Sequence, residues 1–378
     1  MIYLDHAATT RPCEACVRAV STAMTEQYGN PSSLHSFGLQ AQILVETARK
    51  QVAAALKCPP DALTFTSGAT EASHLAIRGI AGTYGKRKRR VVTTTVEHAS
   101  VRAAFDLLEA DGFEVIRVAP RADGQFMPED IAAQVDENTC LVSAMMVNNE
   151  TGTVLPIRES FAQIKKAHPE VITHCDAVQG FLKLPFSPDT FGADLVTVSG
   201  HKVHACKGVG ALYHKKGVRL APLLTGGEQE GGLRAGTEAV PLIAGFGAAA
   251  ASLASSVDER FAQMQRLNRF AVNLLSDLDG VTVQSPADGS PYIVSFSVKG
   301  LKSETMLHFL AEREIYVSSG SACSKGKQSG VLQQFGIRQD AADSTLRISF
   351  CNENTEEDVT ALCAALREAQ ARLVHKRR

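Results

Sequence analysis

Long hydrophobic runs, an excess of charge of one sign and a secretory signal pattern are all missing from this chain of 378 residues. No apolar run is long enough to cross a bilayer, so a membrane-spanning protein is not expected. The first six residues already include a charged side chain, which predicts no export signal and a cytoplasmic protein. The formal net charge of -1 argues against general binding to nucleic acid or to a membrane surface.

A disulfide framework is also missing, although the chain has nine cysteines. Their number is odd and their spacing is irregular, so we expect reduced thiols. Cys13 and Cys16 form a single C-x-x-C without a second pair at zinc-finger spacing, and we predict no metal site. Cys175 and Cys206 stand out only because they flank the polar residues described below.

Cys323 differs from the other cysteines because it lies among serine, glycine and lysine in the polar run 317–330. Such a run is too polar for a core, and Lys325 and Lys327 would favour the thiolate of Cys323. A reactive loop thiol is one interpretation. An incidental loop cysteine is the other.

Strand and helix patterns alternate from residue 63 to residue 213. This alternation predicts the α/β class, with a mostly parallel sheet covered by helices on both faces. After about residue 239 the pattern changes to a long run of helix formers (248–278), three short strands and two helices. We therefore predict a large α/β domain at 13–250. A smaller α+β domain would comprise 1–12 and 251–378 and carry the Cys323 loop.

Polar residues collect just beyond five of the predicted strands. They are residues 67–70 after strand 63–66, Glu97 and His98 after 91–96, residues 148–150 after 141–147, Asp176 and Gln179 after 171–174, and Ser199, His201 and Lys202 after 195–198. In a doubly wound sheet these ends meet at one crevice, where ligands bind. Each group alone also fits an ordinary turn, but their joint position predicts a binding site.

The chemistry of these groups suits one cofactor. Residues 67–70 open a helix, whose N–H groups favour a phosphate, although they also fit an ordinary cap. Asp176 would keep a pyridine nitrogen protonated, His98 would lie on a planar ring, and Lys202 would form a Schiff base with an aldehyde. A capping aspartate, a core histidine and a surface lysine are the alternatives. Together the groups predict pyridoxal 5'-phosphate.

Two further residues have open alternatives. The glycine-rich loop 226–237 ends at Thr237 and either contributes a phosphate contact, from a second subunit, or is a mobile surface loop. Arg347 lies in the apolar strand 346–350 and needs an anionic partner there. That partner is either a substrate carboxylate or an internal Asp or Glu.

The chain closely resembles the cysteine desulfurases of the NifS/IscS type, which are fold-type I pyridoxal-phosphate enzymes of the class V aminotransferase group. The resemblance covers almost the whole chain. It rests on the segments YLDHAATT (3–10), GNPSS (29–33), TSGATE (66–71), VNNETG (147–152), DAVQ (176–179), SGHK (199–202), RAGT (234–237) and SGSAC (319–323). The chain departs from relatives at Ala205-Cys206, where Gly-Pro is usual, and at Glu228, where a third glycine is common.

The resemblance implies a role for each matching residue. Lys202 would bond covalently to the cofactor, and Cys323 would be the nucleophile that takes up sulfur from L-cysteine as a persulfide. The other implied contacts are Asp176 with the ring nitrogen, Gln179 with the ring hydroxyl, His98 stacked on the ring as a further catalytic residue, and Ala69, Thr70, Ser199, His201 and the partner subunit's Thr237 with the phosphate. Asn149 and Arg347 would hold the substrate carboxylate, and Asn149 would also bind the cofactor.

A homodimer and a sulfur-acceptor protein are also implied by the resemblance. The acceptor would be an iron–sulfur scaffold or a tRNA-thiolation protein. A selenocysteine lyase, a class V aminotransferase and a non-catalytic scaffold for sulfur carriers are the alternative functions. Cys323 argues against an aminotransferase, and the retention of Lys202, Asp176 and His98 argues against the scaffold.

Overall fold

The structure, a computed structural model, describes residues 1–319 and 330–373. The strands in this part of the chain are β1 (Ile2–Tyr3), β2 (Leu63–Thr66), β3 (Arg90–Thr94), β4 (Glu114–Val118), β5 (Thr139–Met145), β6 (Ile172–Asp176), β7 (Leu195–Ser199), β8 (Gly210–His214), β9 (Val281–Val283), β10 (Ile293–Val298), β11 (Ile315–Tyr316), β12 (Ser318–Ser319) and β13 (Thr345–Ser349). The helices are α1 (Glu14–Thr25), α2 (Ser36–Leu56), α3 (Ala69–Tyr84), α4 (Ala99–Ala110), α5 (Pro128–Ala132), α6 (Ile157–Ala167), α7 (Pro188–Phe191), α8 (Val240–Ala254), α9 (Val257–Ser276), α10 (Ser303–Ala311), α11 (Val331–Gln334), α12 (Gln339–Ala342) and α13 (Glu356–Arg372).

A seven-stranded sheet forms the centre of the fold, in the order β2-β8-β7-β6-β5-β3-β4. The pairs from β7 through β4 are parallel, and β8 is antiparallel to both of its neighbours. This arrangement confirms the predicted mostly parallel sheet.

Neighbouring residues of the central strands contribute to different hydrophobic clusters. Val92, Val142 and Val196 belong to the larger cluster. Val91, Leu141 and Leu195 belong to the smaller one, which α3 and α4 cover. Because successive side chains of a strand point to opposite faces, both faces of the sheet are buried.

A second, antiparallel sheet has the order β12-β13-β10-β9, and β1 pairs with β11 in parallel. Helices α9, α10 and α13 pack around this smaller sheet, whereas α8 packs on α1 and α2. The predicted boundary near residue 250 falls within α8.

The run of helix formers at 248–278 is broken, which the sequence pattern did not predict. Helix α8 ends at Ala254, α9 begins at Val257, and the two axes meet at 74°. The Arg260 guanidinium donates through Nη2 to the carbonyl oxygens of Leu253 (2.8 Å) and Leu182 (3.0 Å), so it satisfies one of the carbonyls freed at the end of α8. Within the described residues no single helix has the length and apolar composition of a membrane span, and only the bent α8–α9 pair meets both criteria when taken together.

Candidate functional site

A cavity of about 580 Å³ lies where the parallel strands end. Its walls come from β5, β6 and β7, from the start of α3, from β12 and β13, and from the N-terminal segment 5–9. Ten of the predicted site residues line it: Ala69, Thr70, His98, Asn149, Asp176, Gln179, Ser199, His201, Lys202 and Arg347. The structure therefore brings together groups that lie up to 278 positions apart in the sequence.

The first turn of α3 forms one end of this cavity. Gly68 precedes the helix at φ +153°, and no side chain caps its first N–H groups. Gly210 of β8 approaches so closely that a Cβ there would lie 2.8 Å from the Cα of Gly68. The uncapped N–H groups of Ala69 and Thr70 and the dipole of α3 make this end suited to an anion.

Two charged residues hold this turn in place. Glu71 accepts from the backbone N–H of Ser67 through Oε2 (2.8 Å) and from Nε of Arg234 through Oε1 (2.9 Å). Burial alone would raise the pKa of Glu71, but these hydrogen bonds outweigh it and lower that pKa. Arg234 thus connects the glycine-rich loop 226–237 to the start of α3.

Lys202 follows β7 through the short 3₁₀ turn Gly200–Lys202. Its Nζ donates to the carbonyl oxygens of Ala7 (2.5 Å) and Ala8 (2.7 Å). The same N-terminal segment also binds the turn through Thr10, whose backbone N–H and Oγ1 both donate to the carbonyl oxygen of His201, each at 2.9 Å. Segment 5–10 is therefore a wall of the site, which the sequence analysis matched as a motif without assigning its residues a role.

Asp176 is buried at the end of β6, where Oδ1 accepts from the N–H of Val178 at 3.0 Å. Burial raises the pKa of Asp176 to about 6, although that hydrogen bond and the charge of Lys202 oppose the rise. Burial and the nearby cations of Lys202 and Arg102 lower the pKa of His98 to about 4. His98 is therefore neutral at pH 7 and Asp176 is mainly ionised.

Glu97 is a buried acid that the sequence analysis placed at a strand end but did not assign to the site. Its Oε1 accepts from Oγ1 of Thr94 (2.6 Å) and from the N–H of Met145 (2.9 Å), and Oε2 has no partner among the described residues. Met145 pairs in register with Asp176 across β5 and β6. Burial, with the Asp176 charge as a smaller contribution, raises the pKa of Glu97 to about 8.

Arg347 has an internal carboxylate partner, which was one of its two alternatives. Its Nη2 donates to Oδ1 of Asp5 and its Nη1 to the carbonyl oxygen of Asn149, each at 2.7 Å. Nε is buried and has no partner in the described part of the chain. Because Arg347 also lines the cavity, its contact with a substrate carboxylate stays a prediction.

Gln179 contacts a buried lysine, Lys183, that was not predicted from the sequence. Oε1 of Gln179 accepts from Nζ of Lys183 at 3.2 Å, and Nε2 donates to the carbonyl oxygen of Ala7 at 2.9 Å. No sequence signal indicates that a lysine four residues after Gln179 is buried, and its burial is seen only in the folded chain.

Two predicted residues do not line the cavity of this protomer. Thr237 is exposed at the end of the glycine-rich loop 226–237. Cys323 lies outside the described residues, and the chain before it is described up to Ser319, which lines the cavity together with Ser318.

The other cysteines flanking the site are held as thiols or packed together. Burial raises the pKa of Cys175 far above its ordinary value. Sγ of Cys206 lies 3.7 Å from Sγ of Cys16, and burial raises the pKa of Cys16 to about 12. No group of three or more His, Cys, Asp or Glu side chains suited to a metal ion occurs within residues 1–319 and 330–373.

The similarity of this chain to known proteins agrees with the resemblance to NifS/IscS-type cysteine desulfurases that its motifs indicate. Residues 2–362 match the family model described as aminotransferase class-V. A cysteine desulfurase of Nostoc sp. is 39% identical over 377 residues, which is 99% of this chain and 94% of that protein. The solved structure of a NifS-like protein has a TM-score of 0.93 and 36% identity, covering 98% of this chain and 100% of that one.

A further solved structure is described as SspA in complex with cysteine. It has a TM-score of 0.83 and 30% identity, and the match covers 94% of this chain and 100% of that one. These matches confirm the predicted family and fold class. The chain therefore belongs to the class-V aminotransferase family, among the NifS- and IscS-like cysteine desulfurases.

Proposed function

We propose that this protein is a pyridoxal-phosphate-dependent cysteine desulfurase that moves the sulfur of L-cysteine to Cys323. The observation that carries the proposal is the single cavity in which Lys202, Asp176, His98 and the first turn of α3 meet. The cysteine bound in the SspA structure, together with the names of the relatives, supports L-cysteine as the substrate.

The residues present fit the cofactor. The uncapped turn at Ala69 and Thr70, with Ser199 and His201 nearby, would hold its phosphate. The buried Asp176 would pair with a cationic ring nitrogen, which would replace the solvation that its carboxylate lacks. Neutral His98 would cover the ring, Gln179 would contact its hydroxyl, and Lys202 would form the covalent link. When bound, the cofactor supplies an electron sink for the charge that develops at the substrate Cα.

Two side chains of the protein would then transfer the proton and accept the sulfur. Nζ of Lys202 would be the base that takes the Cα proton of the substrate. The Cys323 thiolate attacks the substrate sulfur, so an S–S bond forms while the C–S bond breaks, and the electron pair stays on carbon, which takes a proton. The balance is L-cysteine plus the Cys323 thiol giving L-alanine plus the Cys323 persulfide.

Arg347 and Asn149 would hold the substrate carboxylate. The Asp5 carboxylate takes only one of the five N–H donors of Arg347, and the carbonyl oxygen of Asn149 takes a second. The guanidinium therefore keeps donors for a second anion in a cavity that it already lines.

A homodimer would complete the site through Thr237 of the partner subunit. Large apolar side chains are exposed along α1, α2 and the segment between them, which suits contact with a second copy. They are Val17, Met24, Tyr28, Leu34, Leu39 and Ile43. The persulfide sulfur would pass to an acceptor protein of iron–sulfur cluster assembly or of tRNA thiolation, in the cytoplasm.

Mass spectrometry of the purified protein after exposure to L-cysteine tests this function. We expect one added sulfur on the peptide that contains Cys323, removable by a reductant, together with L-alanine in solution. Cys323→Ser should keep the visible absorption of the bound cofactor but release no sulfide, and Cys58→Ser serves as a control with an unaltered Cys323.

Three results would contradict the proposal. Full sulfide release by Cys323→Ser would exclude the persulfide route. Amino-group transfer to a keto acid without alanine formation would indicate an aminotransferase. A strong preference for selenocysteine over cysteine would indicate a selenocysteine lyase.

A further inference from the structure

Lys183 is buried in a place where a charged side chain is unfavourable. It is 7% exposed, and no carboxylate of residues 1–319 and 330–373 lies within ion-pair distance of its Nζ. Burial lowers the pKa of Lys183 to about 7, and the charge of Lys202 adds to the effect. An apolar side chain of similar length would fill this space with less desolvation.

The backbone before Lys183 is also unusual. Leu182 adopts φ +56°, a left-handed conformation that is unfavourable for a residue with a Cβ. Its carbonyl oxygen accepts from Nη2 of Arg260 at 3.0 Å, and its side chain is buried. Strained backbone of this kind persists where the surrounding structure holds a side chain in a required direction.

Lys183 connects to Lys202 through a short series of hydrogen bonds. Lys183 donates to Oε1 of Gln179 (3.2 Å), and Nε2 of Gln179 donates to the carbonyl oxygen of Ala7 (2.9 Å). The same Ala7 oxygen accepts from Nζ of Lys202 (2.5 Å). With its acceptor side bonded to an ammonium group and its donor side bonded to a carbonyl, the amide of Gln179 has one allowed orientation.

The remaining N–H of Gln179 Nε2 has no partner in the described part of the chain, and Gln179 lines the cavity. We propose that Lys183 is a positioning residue, which holds the Gln179 amide so that this N–H serves a negatively charged ring oxygen of the cofactor. The inference rests on the proposed function, because that oxygen belongs to pyridoxal phosphate. Below about pH 7, where Lys183 is protonated, its charge also polarises the amide, which strengthens the N–H as a donor.

Several charged or titratable groups face Lys183 from the elements packed around it, and they define what a pH experiment must hold constant. They are His6, His201, Lys202, His204, Arg260, Arg347, Cys351 and Tyr292, whose ring centroid lies 5.8 Å from Nζ of Lys183. A substitution at position 183 leaves all of them in place.

The test measures cofactor affinity and the pH dependence of the visible absorption in Lys183→Met. At a pH of about 6, where Lys183 is charged, we expect the Kd for pyridoxal phosphate to rise about tenfold, because Oε1 of Gln179 loses its charged donor. The pH midpoint of the visible absorption should rise by about one pH unit, because removing a cation and weakening a donor to the ring oxygen both favour the protonated form. Lys183→Arg should recover most of both changes, and Lys166→Met on the exposed face of α6 is the matched control.

A structural role and a positioning role give different results. The cofactor-free Lys183→Met protein should melt no lower than the parent, since a buried charge has been replaced by an apolar chain. In a Gln179→Leu background, Lys183→Met should change neither Kd nor midpoint further.

Suppose that the Kd of Lys183→Met lies within twofold of the parent value and its pH midpoint lies within about 0.2 pH units of the parent midpoint, roughly the limit of measurement. This result would overturn the role of Lys183 and leave the proposed function unaffected. An unreduced effect in the Gln179→Leu background would also overturn that role. A parent protein that binds no pyridoxal phosphate would overturn the proposed function, and this inference with it.

Discussion

Glu97→Gln should change how the stability of the protein depends on pH. The parent carboxyl is 1% exposed, and it holds the N–H of Met145 and the hydroxyl of Thr94 through Oε1 alone. Glutamine has the same shape, and its carbonyl oxygen can accept both of these hydrogen bonds. The substitution therefore removes the ionisation while keeping the contacts.

The magnitude follows from the pKa of Glu97, which burial raises from its ordinary value of 4.5 to about 8. Between these two pH values the folded state holds a proton that the unfolded state has lost, so stability falls as pH rises. The slope is about 1.4 kcal/mol per pH unit, which gives a loss of about 4 kcal/mol between pH 5 and pH 8. Below pH 4.5 this contribution is fully present, and above about pH 8 it changes no further.

Urea denaturation of parent and variant at pH 5, 6.5 and 8 measures the effect. At pH 5 the variant should be at most about 1 kcal/mol less stable than the parent. The new amide nitrogen takes the place of Oε2, which has no partner among the described residues, so its N–H groups have no acceptor there. At pH 8 the variant should be the more stable protein by about 3 kcal/mol. Glu137→Gln, at an exposed position, is the control for the chemical change itself. A difference between parent and variant that stays constant from pH 5 to pH 8 would refute the reasoning.

Two other substitutions test how the phosphate end of the site and the glycine-rich loop 226–237 are held. Gly210→Ala should destabilise the protein by about 1–3 kcal/mol and weaken pyridoxal phosphate binding, because the new Cβ would lie 2.8 Å from backbone atoms of Gly68 and Val198. Thermal melting measures the stability, and cofactor titration measures the affinity. An unchanged cofactor affinity would show that the position of Gly68 does not affect phosphate binding. Glu230→Ala should cost about 1–3 kcal/mol in urea denaturation, because it removes the buried carboxylate that pairs with Arg49 at 2.8 Å and accepts from the N–H of Phe65 at 2.9 Å. Glu14→Ala on the exposed face of α1 should cost less than about 1 kcal/mol. Equal effects of Glu230→Ala and Glu14→Ala would show that the buried ion pair contributes no more than a surface pair.

The regular elements were largely predictable because their signals are local. Strand β2 has the bounds expected from the sequence, and β3, β5, β6 and β7 begin and end within two residues of the expected positions, since each is an apolar run ended by turn residues. The break between α8 and α9 was not predicted, because Ser255 and Ser256 interrupt helix formers only weakly. Arg260, which binds the end of α8, reaches it through the packing of the folded chain.

The strand order was not readable either. The antiparallel β8 pairs with β2, about 150 residues earlier, as well as with β7, and local propensity contains no information on such pairing. The polar residues at strand ends were nevertheless expected at one crevice, because parallel strands place their carboxyl ends at one edge.

The sequence by itself determined the chemistry of this protein. A lysine, an aspartate, a histidine and a helix-opening turn each follow a separate buried strand, and the family motifs assign them to one cofactor. Only the tertiary structure decided which polar groups are buried and which partners they contact. Asp5 reaches Arg347 across 342 positions, and Glu97 and Lys183 become buried without an ion-pair partner in the described residues. Burial and pairing depend on contacts between distant segments, so the electrostatics of the site appear only when the chain has folded.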